Sequence, residues 1–379
     1  MIDYQIQNNI SNQLAFYPMF QNNFIMNSGI MLGARVHRIR EGIWDWITSY
    51  RVNRVNDVEP YISVRKYNND EIEKVLAENE CIKMAVIPFS NEEPFDRDEK
   101  TGILKYKEYN SGIIEKMHTD CITLLEELDK MKIDIVIFPE IVMTEELIDG
   151  IRKWLMQKSI NGSNIKLIFM GSYYTKEINR CVLLSGTGKL LLSNDKQNGF
   201  EYLDKNNKSH RENLGDKSNI ITLIDIKGLG RVWYLICKDA LVFDKAVNIM
   251  SHYGCNVQMI SSYSESLSDF QSSGESLAKQ YQVFSVVANS CAVRKGKNIG
   301  VISYPVFFNK DKNISSLNKE YSCSESCEKC SYSKCAHIFQ FDIAESIVVN
   351  IEKQFDQKKS NHKLTGIKIN YTEYKRFDL

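Results

Sequence analysis

The sequence predicts an α/β fold, and two patterns carry that reading. From residue 81 onward, short β-branched runs of buried-strand length, such as IDIVIF and IITLIDI, alternate with longer stretches whose apolar residues recur every three or four positions. Size is a third observation: 379 residues with 43% hydrophobic content can fill one large core or two smaller ones.

The elements follow in order. Residues 1–80 are rich in Asn, Arg and aromatic residues, carry no sustained repeat, and predict helices at VHRIREGIWDWITSY and NDEIEKVLAEN. CIKMAVIPFS opens the layered region, SGIIEKMHTDCITLLEELDKM has the spacing of an amphipathic helix, and IDIVIFPE reads as the strand it feeds. TEELIDGIRKWLMQKS starts with Thr144 and acidic residues, as a helix N-terminus should, and IKLIFMGSYY supplies the next strand. RCVLLSGTGKLLLSN predicts a hairpin about a glycine turn. Then come the strands SNIITLIDI, VWYLIC, NVQMISS and VFSVVANS, with helices at FDKAVNIMSHYG and SLAKQYQ. A polar, cysteine-rich insertion at 309–336 separates GVISYPVFF from HIFQFDI, so the reading divides the chain into an extension 1–80, a core domain 81–352 and a charged tail 353–379.

Charge excludes some partners. With 48 basic and 48 acidic side chains there is no overall field to argue for nucleic acid or an anionic membrane surface. MIDYQIQNNISNQLAF lacks the basic and apolar regions of a signal peptide, and no apolar run approaches the roughly 20 residues that span a bilayer, so a cytoplasmic protein is expected. Six cysteines scattered singly suit reduced thiols.

Three polar residues end apolar runs: Glu140 after IDIVIFP, Lys196 after LLLSND and Cys237 after VWYLI. A charge placed just past a buried strand is costly unless partnered, so the three could share one pocket at the strand ends. Their chemistry is complementary. A thiolate attacks carbonyl or nitrile carbon, a carboxylate takes its proton and hands it to a leaving amine, and an ammonium holds the oxyanion. The lysine next to Cys237, Lys238, is expected to favour the thiolate at neutral pH.

These segments resemble the nitrilase or carbon–nitrogen hydrolase superfamily, with its Glu-Lys-Cys triad, over roughly residues 82–350. IDIVIFPE is similar to the strand that ends in the family's glutamate, GSYYTKEINRCVLLSGTGKLLLSNDKQ to its strand, hairpin and lysine, and GRVWYLICKDALVF to its nucleophile elbow. The order and the spacings of 56 and 41 residues fit. Two departures stand out. Lys238 replaces the usual aromatic residue ahead of Asp239, and the glutamate expected near Ala278, Lys279 and Gln280 is absent.

The resemblance implies a nitrilase-like αββα sandwich, pairing of subunits into at least a homodimer through helices flanking the site strands, and no cofactor for catalysis. It places the general base at Glu140, the oxyanion-binding lysine at Lys196 and the nucleophile at Cys237, with the Lys238 backbone N–H as a second oxyanion donor. A second glutamate, found in many members between the Lys and the Cys, matches Glu212, with Glu201 competing. The expected activity is hydrolysis of a non-peptide carbon–nitrogen bond in a small molecule, an amide rather than a nitrile, through a thioester. Transfer of the acyl group to an amine, or a silent sensing or scaffold module, are the alternatives.

CSESCEKCSYSKCAH places Cys323, Cys327, Cys330 and Cys335 within thirteen residues, with His337 two further on. The Cys327–Cys330 spacing lets two sulfurs face one tetrahedral metal, and structural zinc is the expected ion, against a loop of reduced thiols.

Overall fold

The computed structural model describes residues 14–18, 50–54, 61–67, 81–89, 94–304 with short breaks, 317–321, 335–351 and 360–376. Its main strands are β1 (Tyr61–Tyr67), β2 (Cys81–Val86), β3 (Ile135–Ile137), β4 (Leu167–Thr175), β5 (Ile178–Ser185), β6 (Leu190–Asp195) and β7 (Ile220–Ile226). They continue with β8 (Gly230–Ile236), β9 (Val257–Ser262), β10 (Phe284–Asn289), β11 (Gly300–Tyr304), β12 (Leu317–Tyr321), β13 (Cys335–Ile351) and β14 (Ser360–Arg376). The helices are α1 (Ser111–Lys130), α2 (Glu145–Ile160) and α3 (Ser268–Tyr281).

Two seven-stranded sheets result, ordered β6-β5-β4-β3-β2-β13-β14 and β12-β11-β10-β9-β8-β7-β1. Each has three parallel strands at its centre, β4-β3-β2 in one and β10-β9-β8 in the other, with antiparallel neighbours on either side. Alternation places the two faces. Met84, Val86, Ile135, Ile137, Leu167, Phe169, Cys181 and Leu183 pack in the core with Leu223, Trp233 and Leu235 of the other sheet. Their neighbours Ala85, Val136, Ile168, Met170, Val182 and Leu184 pack with Leu124 and Leu128 of α1 and Leu147, Ile151 and Leu155 of α2. Helix α3 sends Phe270 and Leu277 onto the second sheet, so the layers run αββα, as expected.

The helices start where the sequence provides caps. The Thr144 side chain accepts from the Leu147 N–H at 3.1 Å ahead of α2, and the Asn110 side chain accepts from the Ile113 N–H at 3.0 Å ahead of α1. Between the sheets, the Phe169 and Tyr234 rings meet edge to face at 5.0 Å.

Strand pairing crosses the expected domain limits. Tyr61–Tyr67, read as part of an extension, pairs in parallel with β7, and Ser360–Arg376, read as a charged tail, pairs with β13 along its length. Leu317–Tyr321, inside the expected insertion, is the edge strand beside β11. An exposed sheet edge is satisfied by any strand-competent segment, however polar one face of it is, and composition cannot register that. The helices expected at 36–50, 69–79 and most of 243–254 lie outside the described residues.

Candidate active site

The C-terminal ends of β3 and β8 and the end of the β5–β6 hairpin converge at one end of the sandwich, and Glu212, at the end of the separate strand Ser209–Glu212, joins the three residues they carry. Phe138, Pro139 and Glu140 follow β3, and the Glu140 N–H donates to the Ser262 carbonyl at the end of β9, at 3.3 Å. This bond ties a loop of one sheet to the other. Beneath it runs a buried polar chain: the Tyr234 hydroxyl donates to the Gly171 carbonyl at 3.1 Å and accepts from the Gly171 N–H at 2.7 Å. The Ser261 hydroxyl lies 2.9 Å from that of Tyr234 and donates to the Phe138 carbonyl at 2.7 Å. Gly171 has φ +76°, and a Cβ there would lie 2.1 Å from the Pro139 carbonyl oxygen, so only glycine lets β4 approach the Glu140 loop this closely.

Lys196 leaves the end of β6 with its N–H donating to the Asn179 carbonyl at 2.8 Å. The next two residues are held by Asp239, whose carboxylate accepts from the Gln197 N–H at 3.0 Å and the Asn198 N–H at 2.8 Å. Asp239 lies in the 3-10 turn Cys237–Ala240, so one carboxylate fixes the lysine loop and the Cys237 turn to each other. Cys237 opens that turn at φ +44°, and Ile141, just past Glu140, sits at φ +60°. Both are left-handed conformations that side chains disfavour, and the surrounding bonds hold them.

The side chains form a closed set. The Lys196 ammonium donates to Glu140 Oε1 at 2.7 Å and to Glu212 Oε2 at 2.6 Å. Asn179 Nδ2 donates to Glu140 Oε1 and to Glu212 Oε1, each at 3.0 Å. Glu140 Oε2 accepts from the Tyr263 N–H at 3.0 Å, and the Glu140 carboxylate acts electrostatically on the Cys237 thiol. The Ser262 hydroxyl donates to the Cys237 sulfur at 3.7 Å. Glu212 accepts in addition from the Phe200 N–H at 3.0 Å and from the Tyr174 hydroxyl. Glu140, Lys196, Cys237 and Glu212 are 1, 2, 4 and 7% exposed.

Burial governs the protonation states. It raises Glu140 above the usual carboxylate range, against the pull of Lys196. It works against the Lys196 ammonium too, but Glu140 and Glu212 outweigh it and hold the lysine well above its ordinary value. Burial likewise opposes the Glu212 carboxylate, and the Lys196 ammonium with the Tyr174 hydroxyl and the Asn179 amide brings it below the ordinary value. Cys237 is pushed up to about 12, first by burial and then by the Glu140 carboxylate. The resting thiolate expected beside Lys238 is therefore replaced by a neutral thiol near the Glu140 carboxylate.

The structure separates the two competing glutamates. Glu212 meets the lysine, whereas Glu201 is exposed and accepts from the Ser209 hydroxyl. Lys238 is half-buried in the turn after Cys237. Four contributors were not read from the sequence: Asn179, Tyr174, Ser262 and Tyr263. Asn179 had a visible signal, a lone amide inside the apolar strand INRCVLLS. Of the four cysteines expected to hold zinc, Cys323, Cys327 and Cys330 lie outside the described residues, and Cys335 is buried at the start of β13. Among the described residues no group of three or more His, Cys, Asp or Glu is arranged to hold a metal ion, and no helix is long and apolar enough to cross a membrane.

No family model and no curated protein matches the chain. Among solved structures it is similar to Nit3 of Saccharomyces cerevisiae, a member of branch 10 of the nitrilase superfamily, at 18% identity and a TM-score of 0.40, covering 59% of this chain and 83% of that one. An amidase of Nesterenkonia AN1 from the nitrilase superfamily has 12% identity and a TM-score of 0.42, over 59% of this chain and 83% of its own. The glutamine-dependent NAD+ synthetase of Acinetobacter baumannii has 17% identity and a TM-score of 0.42, over 69% of this chain and 46% of its own. The solved structures to which this chain is similar thus include members of the superfamily that the motifs around Glu140, Lys196 and Cys237 resemble.

Proposed function

We propose that the protein hydrolyses a non-peptide carbon–nitrogen bond of a small molecule, an amide, through a thioester on Cys237. The observation that carries this reading is a buried thiol under the charge of Glu140 while Lys196 bridges Glu140 and Glu212. Glu140 takes the thiol proton as the sulfur attacks the carbonyl carbon, and the carbonyl π pair moves onto oxygen. The Lys196 ammonium and the Lys238 backbone N–H hold that oxyanion, a contribution of about 3 to 4 kcal/mol per donor. Collapse breaks the carbon–nitrogen bond, with Glu140 returning the proton to the leaving nitrogen. Water then attacks the thioester, Glu140 removes its proton, and the acid leaves as the thiol is restored. Glu212, which does not contact the sulfur, keeps Lys196 charged and in place.

A base that must later protonate a leaving group suits an amide, whose amine departs only with a proton. Transfer to an amine in place of water follows the same first half, and a small-molecule amide panel with and without added amine separates the two. Mass spectrometry of the intact protein tests the common step: the reading predicts an acyl adduct on Cys237 in at least one reaction, absent in Cys237→Ala. Turnover that persists in Cys237→Ala would contradict it.

A further inference from the structure

Asn179 is fully buried on β5, and its amide is the one group besides Lys196 that touches both carboxylates of the site among the described residues. We propose that Asn179 is a positioning residue that decides which oxygen of Glu140 receives the thiol proton.

The two oxygens of Glu140 are treated differently. Oε1 accepts from both the Lys196 ammonium, at 2.7 Å, and Asn179 Nδ2, at 3.0 Å. A carboxylate oxygen offers two lone-pair sites, so Oε1 is filled. Among the described residues Oε2 accepts one backbone or amide donor, the Tyr263 N–H at 3.0 Å, and so keeps a site for the thiol. With Oε1 occupied, the proton of Cys237 passes to Oε2 as the sulfur–carbon bond forms. The ring is completed on the other side, where Glu212 offers Oε1 to Asn179 and Oε2 to Lys196. Two donors therefore bridge two like charges at both ends, which fixes the rotation of each carboxylate as well as its position.

Asn179 Oδ1 accepts from no group among the described residues. A buried amide with an unused acceptor costs stability, and an apolar side chain of similar shape would avoid that cost. The donated bonds to the two glutamates are what the amide provides in return. Its orientation follows from chemistry: Oδ1 turned toward two carboxylates would face acceptors only.

The proposal rests on Cys237 and Glu140 acting as nucleophile and base, and its test keeps the two separable. The rate of Cys237 carbamidomethylation by iodoacetamide is followed by peptide mass spectrometry across pH in the full chain, for wild type, Glu140→Gln, Asn179→Leu and the near-isosteric Asn179→Asp. Removing a donor from ionised Glu140, or placing another negative charge beside it, favours its protonated form. The acid limb of the rate is therefore expected to move up by about one pH unit in both Asn179 variants, and the plateau to fall roughly 10- to 100-fold. Should Asn179→Leu fail to fold, Asn179→Asp carries the same reading. A lowered melting temperature with the limb and plateau unmoved would make Asn179 merely structural and overturn the proposal. A wild-type rate that does not depend on Glu140 would overturn the nucleophile reading instead, and the role of Asn179 with it.

Discussion

At the residue scale the site is defined by what burial does to four ionisable groups. Cys237, pushed up to about 12, is a neutral thiol at physiological pH, so reactivity requires Glu140 to be ionised. Glu140 is itself raised by burial, which means the ionised fraction grows only as pH climbs past the ordinary carboxylate range. Turnover should therefore fall on the acid side at a pH above that of an exposed glutamate, and a kcat/KM profile against pH checks this. Glu140→Gln should cost roughly 10²- to 10⁴-fold in rate, the usual contribution of a positioned base.

Lys196 calls for a different expectation, because removing it leaves two buried carboxylates with one amide between them. Lys196→Met should destabilise the fold by about 3 to 5 kcal/mol, as loss of one partner from a buried ion pair does. Adding Glu212→Gln should recover part of that loss, since one of the orphaned charges goes too. Urea unfolding of the three proteins measures both effects. A single mutant as stable as wild type would mean the pair is not held as Lys196, Glu140 and Glu212 are here.

At the element scale the strands and their caps were legible because each pattern has a local cause. The run IDIVIF is buried on both faces, and Thr144 sits where α2 needs a side-chain acceptor, so pattern and structure coincide. The strand ends carrying Glu140, Lys196 and Cys237 were legible for the same reason: charge at the end of an apolar run. Asn179 showed only as a lone amide in its strand, since its partners depend on which strand lies opposite, and Tyr263 acts through a backbone N–H that any residue possesses. The sheet edges β1 and β14 were missed because pairing with a neighbour needs no apolar signature. One element-scale constraint is testable: Gly171→Ala should destabilise by about 1 to 3 kcal/mol through positive φ strain and the clash with Pro139. It should also lower the rate by displacing Glu140, whereas a stability loss with full activity would separate the β4 approach from the site.

At the scale of the whole molecule, two sheets meet face to face, and the groups of the candidate site are shared between them. Glu140 and Lys196 come from one sheet and Cys237 from the other, so docking of the sheets and assembly of the site are the same event. The buried chain from Gly171 through Tyr234 and Ser261 to Phe138 is one polar link between them, and Asn194 of β6, bonded to Thr222 and to the Tyr234 carbonyl, is another. His337, buried on β13, gives the fold its own pH dependence. Burial lowers its imidazole to about 4. Between about pH 6.5 and that value the unfolded chain binds a proton that the folded chain refuses. Stability present above that window is lost as pH falls through it, by at most about 1.4 kcal/mol per pH unit. Unfolding at pH 7 and pH 5 should show a smaller loss in His337→Gln than in wild type, and equal losses would contradict the assignment.

The measurement that bears most directly on the central claim is the pH dependence of Cys237 alkylation in wild type and Glu140→Gln. A neutral thiol activated by a neighbouring carboxylate predicts labelling that rises with the ionisation of Glu140 and collapses in the variant, while Cys121 and Cys181, fully buried without a base, stay unlabelled in the folded chain. Labelling of Cys237 that is unchanged in Glu140→Gln, or no faster than that of Cys121 and Cys181, would contradict it.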